Sequence, residues 1–149
     1  KENVNSIAHA HPMYGKTFST LGKMLDPISQ DSCAFYERTA IFADYDGVAN
    51  GPDEGINIAK ALGDKEFCIL QNHGILTTGS MVDTAVWYFL NMEDACKSQL
   101  LAEAVGKPKI IPHETACATR DYVANDLSAY VSFQPTIDVL WEEEPDLLD

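Results

Sequence analysis

Four consecutive apolar residues, Phe67 to Leu70, place the strongest constraint on the fold of this chain. An apolar run of this length, bounded by polar residues, predicts a strand that is buried on both faces. It leads into His73 and Gly74, and residues 75–78 continue it or form the next strand, which ends at Gly79. His73 is therefore expected at the edge of a sheet, on rigid backbone beside a glycine that lets another side chain approach.

Two further histidines lie near the beginning of the sequence. The alternating run SIAHAH predicts a strand in which Ile7, His9 and His11 share one face. The two imidazoles would then lie about 6–7 Å apart at their Cα atoms, within reach of one ion. Pro12 suits the first position of a helix, and apolar residues recur at helical spacing from there to Gly22.

These histidines allow two interpretations. His9 and His11 alone fit ordinary polar residues on a half-exposed strand face. His73 favours a divalent metal site instead, because three imidazoles can hold one ion and leave at least one coordination position open. An open position allows substrate oxygens to bind, which is typical of a catalytic rather than a structural metal site.

The remaining sequence predicts one domain over residues 1–138, followed by an acidic tail over residues 139–149. Within the domain we expect a strand over 39–45 that closes on the turn Asp46-Gly47, a helix over 53–62 and a helix over 115–127. A long helix is expected to end at Gly106, with Ser80 and Asp83 resembling a capping box. One stripe of this helix is formed by Val82, Val86, Phe89, Glu93, Cys96 and Leu100.

Charge and composition exclude some classes of partner. The 149 residues carry a formal net charge of −13, which repels phosphate backbones and anionic lipid and argues against nucleic acid or a membrane surface. No apolar run approaches the ~20 residues needed to span a bilayer, so we expect a soluble, cytoplasmic protein. The four cysteines form no C-x-x-C pair and are expected to be reduced and mostly buried.

Several stretches together resemble the class II aldolase/adducin family: HAHPMYGKTFSTLG, SQDSCAFY, EGINIAKALG, ILQNHGILTTG, VDTAVWYFLNMEDACKSQLLAE and a late FQP. The resemblance implies an α/β fold, a three-layer α/β/α sandwich around a mixed sheet. It also implies a homo-oligomer, usually a tetramer, with the metal site near a subunit interface. The positions that match the family's metal ligands are His9, His11 and His73, and zinc is the ion expected, with Fe(II) or Mn as alternatives.

The chain departs from the family pattern in two places. The family's acid/base residue and phosphate-binding loops would precede Lys1, so we expect a fragment, a processed product or a piece complemented by an N-terminal segment. The tyrosine that the family's aldolases supply from a neighbouring subunit matches Gln30 here, which argues against aldol cleavage specifically. Asp31 is a weaker candidate for the catalytic acid/base, and His113 is expected to be a surface loop residue.

The sequence therefore favours a metal-dependent lyase or isomerase that acts on a small hydroxy-carbonyl compound or sugar phosphate. Three neutral ligands with open positions also suit a non-haem Fe(II) oxygenase on the same fold. A third interpretation is an adducin-like assembly protein without chemistry, since a fold alone does not establish an enzyme.

Overall fold

The computed structural model describes residues 4–44 and 52–148, and a four-stranded mixed sheet forms the centre of this part of the chain. The strands are β1 (Ser6–Ala10), β2 (Thr39–Phe42), β3 (Phe67–Leu70) and β4 (Gly74–Gly79), and their order across the sheet is β1-β4-β3-β2. β4 pairs antiparallel with both β1 and β3, whereas β2 and β3 are parallel. The predicted α/β class is therefore confirmed.

Six helices and one short 3-10 turn complete the described chain. They are α1 (Met13–Ser19), α2 (Gln30–Cys33), α3 (Pro52–Leu62), α4 (Val82–Val105), α5 (His113–Val123) and α6 (Asp126–Glu143), with the 3-10 turn at Pro145–Leu148. Among the described residues, no helix is long and apolar enough to cross a membrane.

Strand β3 separates two hydrophobic cores, which explains why its four residues are all apolar. Phe67 and Ile69 pack with Met92 of α4 in the larger core, while Cys68 and Leu70 belong to a smaller core that includes Leu62 of α3. Side chains alternate between the two faces of a strand, so this sheet carries helices on both faces. The expected three-layer arrangement follows from this alternation.

The early elements lie close to their predicted bounds. The helix expected over residues 53–62 is α3, and the strand expected over 39–45 ends at Phe42. Its last position and the turn Asp46-Gly47 fall outside the described residues. The cysteines are free, as expected, with Cys33, Cys68 and Cys96 buried and Cys117 at intermediate exposure.

The C-terminal helix prediction was wrong. The helix expected over residues 115–127 is divided between α5 and α6, because the Asn125 side chain caps α6 by accepting a hydrogen bond from the Ser128 N–H at 2.9 Å. α6 continues through Pro135 to Glu143. His113 is the first residue of α5, so it is not a loop residue, although its side chain is 63% exposed.

The predicted stripe of α4 matches its buried face only in part. Val82 is 67% exposed. The predicted Cys96 is buried, and Phe89 and Leu100 are partly buried against the core. The other side chains that α4 buries are Thr84, Ala85, Tyr88, Met92, Ala95 and Gln99, which the predicted stripe did not include. Gln99 can be fully buried because its amide accepts from the Asp26 N–H and donates to the Asp26 and Glu103 carboxylates. Ser80 does not cap this helix, since its hydroxyl donates to the Asp126 carboxylate.

Candidate metal centre

The sheet brings together the three histidines singled out by the sequence. His9 lies on β1 and His11 follows that strand, while His73 lies in the turn between β3 and β4. β1 pairs antiparallel with β4, with His9 opposite Leu76 and Ala10 opposite Ile75. This register places the end of β1 beside the beginning of β4, and therefore places His11 beside His73.

The three rings surround a common point. Their centroids are separated by 5.3 Å for His9 and His11, 5.0 Å for His9 and His73, and 4.4 Å for His11 and His73. One nitrogen from each ring can be chosen so that all three lie within 4.8 Å of one another. Three imidazoles bound tetrahedrally to one ion at 2.0–2.1 Å would place their centroids about 5 Å apart, so the cluster fits such an ion.

A backbone hydrogen bond orients His9. Its Nδ1 lies 2.9 Å from the carbonyl oxygen of Ile75, and a carbonyl can only accept, so Nδ1 carries the proton and donates. The other ring nitrogen, Nε2, is then a lone-pair donor. Metal-binding histidines usually donate their second ring nitrogen in this way, which fixes both the tautomer and the ring orientation.

Gly74 permits the close contact between the strands that carry the histidines. A Cβ atom at this position would lie 2.6 Å from the carbonyl oxygen of Ala10 and 3.4 Å from Cδ2 of His11. Any side chain here would force β1 away from β4. The glycine after His73 is therefore required by the approach of backbone to backbone beside the cluster.

A carboxylate from α4 fixes the chain immediately after His11. Glu93 accepts hydrogen bonds from the N–H groups of Tyr14 at 2.9 Å and Gly15 at 2.5 Å, in the first turn of α1. These donors would otherwise lack an intrahelical partner. The sequence places Glu93 in the predicted stripe of α4, but the spacing along that helix does not reveal a contact with α1.

Burial and mutual repulsion lower the pKa of His73. Burial is the largest cause, followed by the positive charges that His11 and His9 would carry if protonated. The Glu54 carboxylate acts in the opposite direction and raises this pKa. The cluster therefore favours a neutral His73, which is the form that binds a metal ion.

Glu54 is an acidic residue whose charge acts on His73 and that the sequence alone did not single out. It lies in α3, near its N-terminal end, and interacts electrostatically with His73. Nothing in its local sequence could have identified it, since its position depends on how α3 packs against the sheet. Gln30 and Asp31 lie in α2, which packs against α4 and α5, and both are exposed. Neither belongs to the three-histidine cluster.

This chain is similar to known proteins of one family. The family model described as Class II Aldolase and Adducin N-terminal domain matches residues 1–100. This chain belongs to the class II aldolase and adducin family. A solved structure of L-fuculose 1-phosphate aldolase from Glaciozyma antarctica PI12 superimposes with a TM-score of 0.89 and 38% sequence identity, and the match covers 98% of this chain and 55% of that one.

Two bacterial relatives have other reactions in their names. Decarboxylase NovR from Streptomyces niveus is 37% identical over 99% of this chain and 54% of its own length. The 4-hydroxy-3-prenylphenylpyruvate oxygenase/4-hydroxy-3-prenylbenzoate synthase of Streptomyces roseochromogenus subsp. oscitans is 36% identical over 99% of this chain and 53% of its own length. This chain of the class II aldolase and adducin family thus spans about half the length of these relatives.

Proposed function

We propose that His9, His11 and His73 bind one divalent metal ion, and that the protein acts as a metal-dependent lyase on a small hydroxy-carbonyl compound. The observation that carries the proposal is the convergence of three imidazoles, one of them oriented by a backbone carbonyl. A retained fold alone would not require this arrangement, so the site favours metal chemistry over a purely structural role.

Class II aldolases generally use a divalent ion, typically zinc. Bound at these histidines, the ion would polarise a substrate carbonyl and stabilise the negative charge that develops when the adjacent carbon–carbon bond breaks. Aldol cleavage and decarboxylation both break a bond of this type, and both reactions are named among the relatives. The reaction type that the two names share supports this proposed substrate class.

The residues of this chain hold the site in place, and one carboxylate acts electrostatically on a proposed ligand. The Ile75 carbonyl holds His9 Nδ1–H, and Glu93 fixes the backbone that follows His11. We propose that the Glu54 carboxylate, which interacts with His73, accepts or returns a proton at the substrate. This assignment replaces Asp31 as the internal candidate, because Asp31 is exposed on a helix that packs against α4 and α5.

A non-haem Fe(II) oxygenase is the second candidate function. Three neutral imidazoles with open coordination positions also suit Fe(II), and one relative at 36% identity is named as an oxygenase. The two candidates differ in the ion and in the need for oxygen. Aldol cleavage or decarboxylation by a lyase proceeds anaerobically with zinc, whereas the oxygenase consumes O₂ and loses activity when zinc replaces iron.

The test begins with metal content measured by mass spectrometry on protein purified without chelators. We expect at least one divalent ion per wild-type chain and a loss of about one ion in the His9→Ala/His73→Ala variant. Gln30→Ala is the matched control, since it alters an exposed polar residue outside the cluster. Equal metal in wild type and the double-histidine variant would refute the proposal.

The reaction class is tested with the metal-loaded protein. Carbon–carbon cleavage of phosphorylated ketoses and of 2-oxo acids is followed under nitrogen and in air, with zinc or Fe(II) bound. Activity under nitrogen supports the lyase, and activity that requires both iron and O₂ supports the oxygenase. Glu54→Gln should lower the rate of cleavage by about 10²–10⁴-fold while leaving metal content unchanged.

A further inference from the structure

A second group of metal-binding side chains lies at the opposite end of the sheet from the three-histidine cluster. Glu37 precedes β2, whereas His73 follows β3, and β2 and β3 are parallel. Beside Glu37 lie His113 and Cys117, at the first and fifth positions of α5. One ligand atom from each of these three residues lies within 4.8 Å of the others.

The distances between these ligand atoms suit a tetrahedral ion. The Cys117 Sγ atom lies 3.7 Å from Glu37 Oε2 and 3.8 Å from His113 Nδ1, and that nitrogen lies 3.7 Å from Glu37 Oε1. Zinc with bonds of 2.0–2.3 Å to oxygen, nitrogen and sulfur requires separations of roughly 3.3–3.6 Å between its ligands. The group would need to contract by only a few tenths of an ångström.

The backbone brings the three side chains together. Residues four apart on a helix are neighbours on one face, so His113 and Cys117 project side by side from α5. Glu37 has a positive φ of 60°, a left-handed conformation that is uncommon for glutamate. α5 packs against α2, and the turn after α2 carries Glu37 to the helix surface that presents the other two residues.

A simpler explanation for Glu37 is its ion pair with Arg120, which approaches Glu37 Oε2 at 3.2 Å. The guanidinium is shared, however, because it also donates to Asp121 at 2.8 Å and to the carbonyl of Tyr36 at 3.4 Å. The other oxygen of Glu37 faces His113. The ion pair therefore accounts for Oε2, the oxygen to which the Cys117 thiol also points, and it does not involve Oε1 or His113.

We propose that Glu37, His113 and Cys117 form a second metal site, with zinc as the preferred ion, that clamps α5 to the turn between α2 and β2. A thiolate with an imidazole and a carboxylate is a borderline-soft ligand set, which favours zinc over magnesium or calcium. On binding, the Cys117 thiol transfers its proton to solvent and the sulfur forms the bond to the ion. The Tyr36 hydroxyl, 3.1 Å from His113 Nδ1, or a water molecule can complete the coordination.

The experiment uses Co(II) as a spectroscopic probe in the full chain with His9, His11 and His73 replaced by alanine. His113 is then the only histidine left among the four in the sequence. We expect about one Co(II) per chain with a thiolate-to-Co(II) charge-transfer band in the near ultraviolet, and displacement of Co(II) by zinc. Adding Cys117→Ser should abolish the band and weaken binding by at least about tenfold.

Cys33→Ser in the same background is the matched control, because Cys33 is buried and lies outside the ligand group. It should leave the band unchanged.

The wild-type chain gives a second measurement that does not depend on the triple variant folding: it should take up one more Co(II) than its Cys117→Ser variant. No binding in a folded triple variant, a band that survives Cys117→Ser, or a disulfide between Cys33 and Cys117 would overturn the proposal. Failure of this site would leave the three-histidine site untouched, since the two share no residue.

Discussion

At the residue scale, His73 connects protonation to both metal binding and folding. Its side chain is partly buried beside two other imidazoles, and these surroundings lower its pKa. A neutral imidazole can bind an ion, whereas a protonated one in this position is both poorly solvated and repelled. Acid should therefore weaken the site through the same residue that gives it affinity.

The first prediction is that the metal-free protein loses stability as pH falls through the window below about 6.5, the ordinary pKa of histidine. In the unfolded chain His73 titrates near that value, whereas in the folded chain its pKa is lower. Between the two values the unfolded state binds more protons, so the free energy of unfolding falls with falling pH. Below the folded-state pKa this loss is complete.

Urea unfolding in the presence of a chelator, from pH 7.5 to pH 5, measures this dependence. The His73→Gln variant should show a shallower decline than wild type over that window, because glutamine does not titrate. Parallel curves for the two proteins would contradict the assignment. With metal present, affinity should also fall over the same range, since protons compete for the ring nitrogens.

At the element scale, α4 supports the site although it contributes no ligand. Glu93 anchors the first turn of α1, and Gln99 anchors Asp26 in the segment that follows α1. α1 begins two residues after His11, so α4 fixes the position of that histidine through α1. Polar side chains of α4 therefore hold α1, and the segment after it, in position.

The second prediction concerns Glu93→Gln. The amide retains one acceptor oxygen and replaces the other with a donor, so one of the two N–H groups of α1 loses its partner. Loss of a hydrogen bond to a charged group should lower the free energy of unfolding by about 1.5–3 kcal/mol. Metal affinity should fall as well, because the chain after His11 is no longer fixed.

Chemical denaturation and metal titration of this variant are compared with Asp94→Asn, which removes the adjacent, exposed carboxylate of the same helix. The control should stay within about 0.5 kcal/mol of wild type. Equal stability for Glu93→Gln and wild type would show that the two hydrogen bonds do not support α1.

The same elements show which features the sequence could predict. Local patterns found β1, β3 and the three histidines, because alternation and an unbroken apolar run report directly on strands. Glu54, Glu93 and Glu37 were missed as site residues because each meets its partners only through packing between separate elements. Gln99 was missed as a buried residue of α4 because a search for apolar residues excludes glutamine, and its burial depends on its hydrogen bonds.

At the scale of the whole molecule, α6 exposes several large apolar side chains. Its exposed large side chains are Leu127 (72%), Tyr130 (40%), Val131 (58%), Val139 (52%), Leu140 (37%) and Trp141 (48%). Large contiguous apolar surface on a soluble domain commonly marks a protein–protein interface. Members of the class II aldolase and adducin family are often homo-oligomers, and we propose that α6 contributes to such an interface here.

The last prediction is that the protein forms an oligomer in solution, with a tetramer as the expected state. Multi-angle light scattering at micromolar concentration should give a mass that is a multiple of 16.4 kDa. Leu127→Glu/Val131→Glu places two charges one turn apart on α6, and burying them would cost several kcal/mol per ion, so the variant should dissociate. Val105→Glu at the end of α4, where the side chain is 89% exposed, is the control and should keep the wild-type mass. A wild-type particle of one chain would refute the prediction, and a double variant that assembles like wild type would place the interface elsewhere than α6.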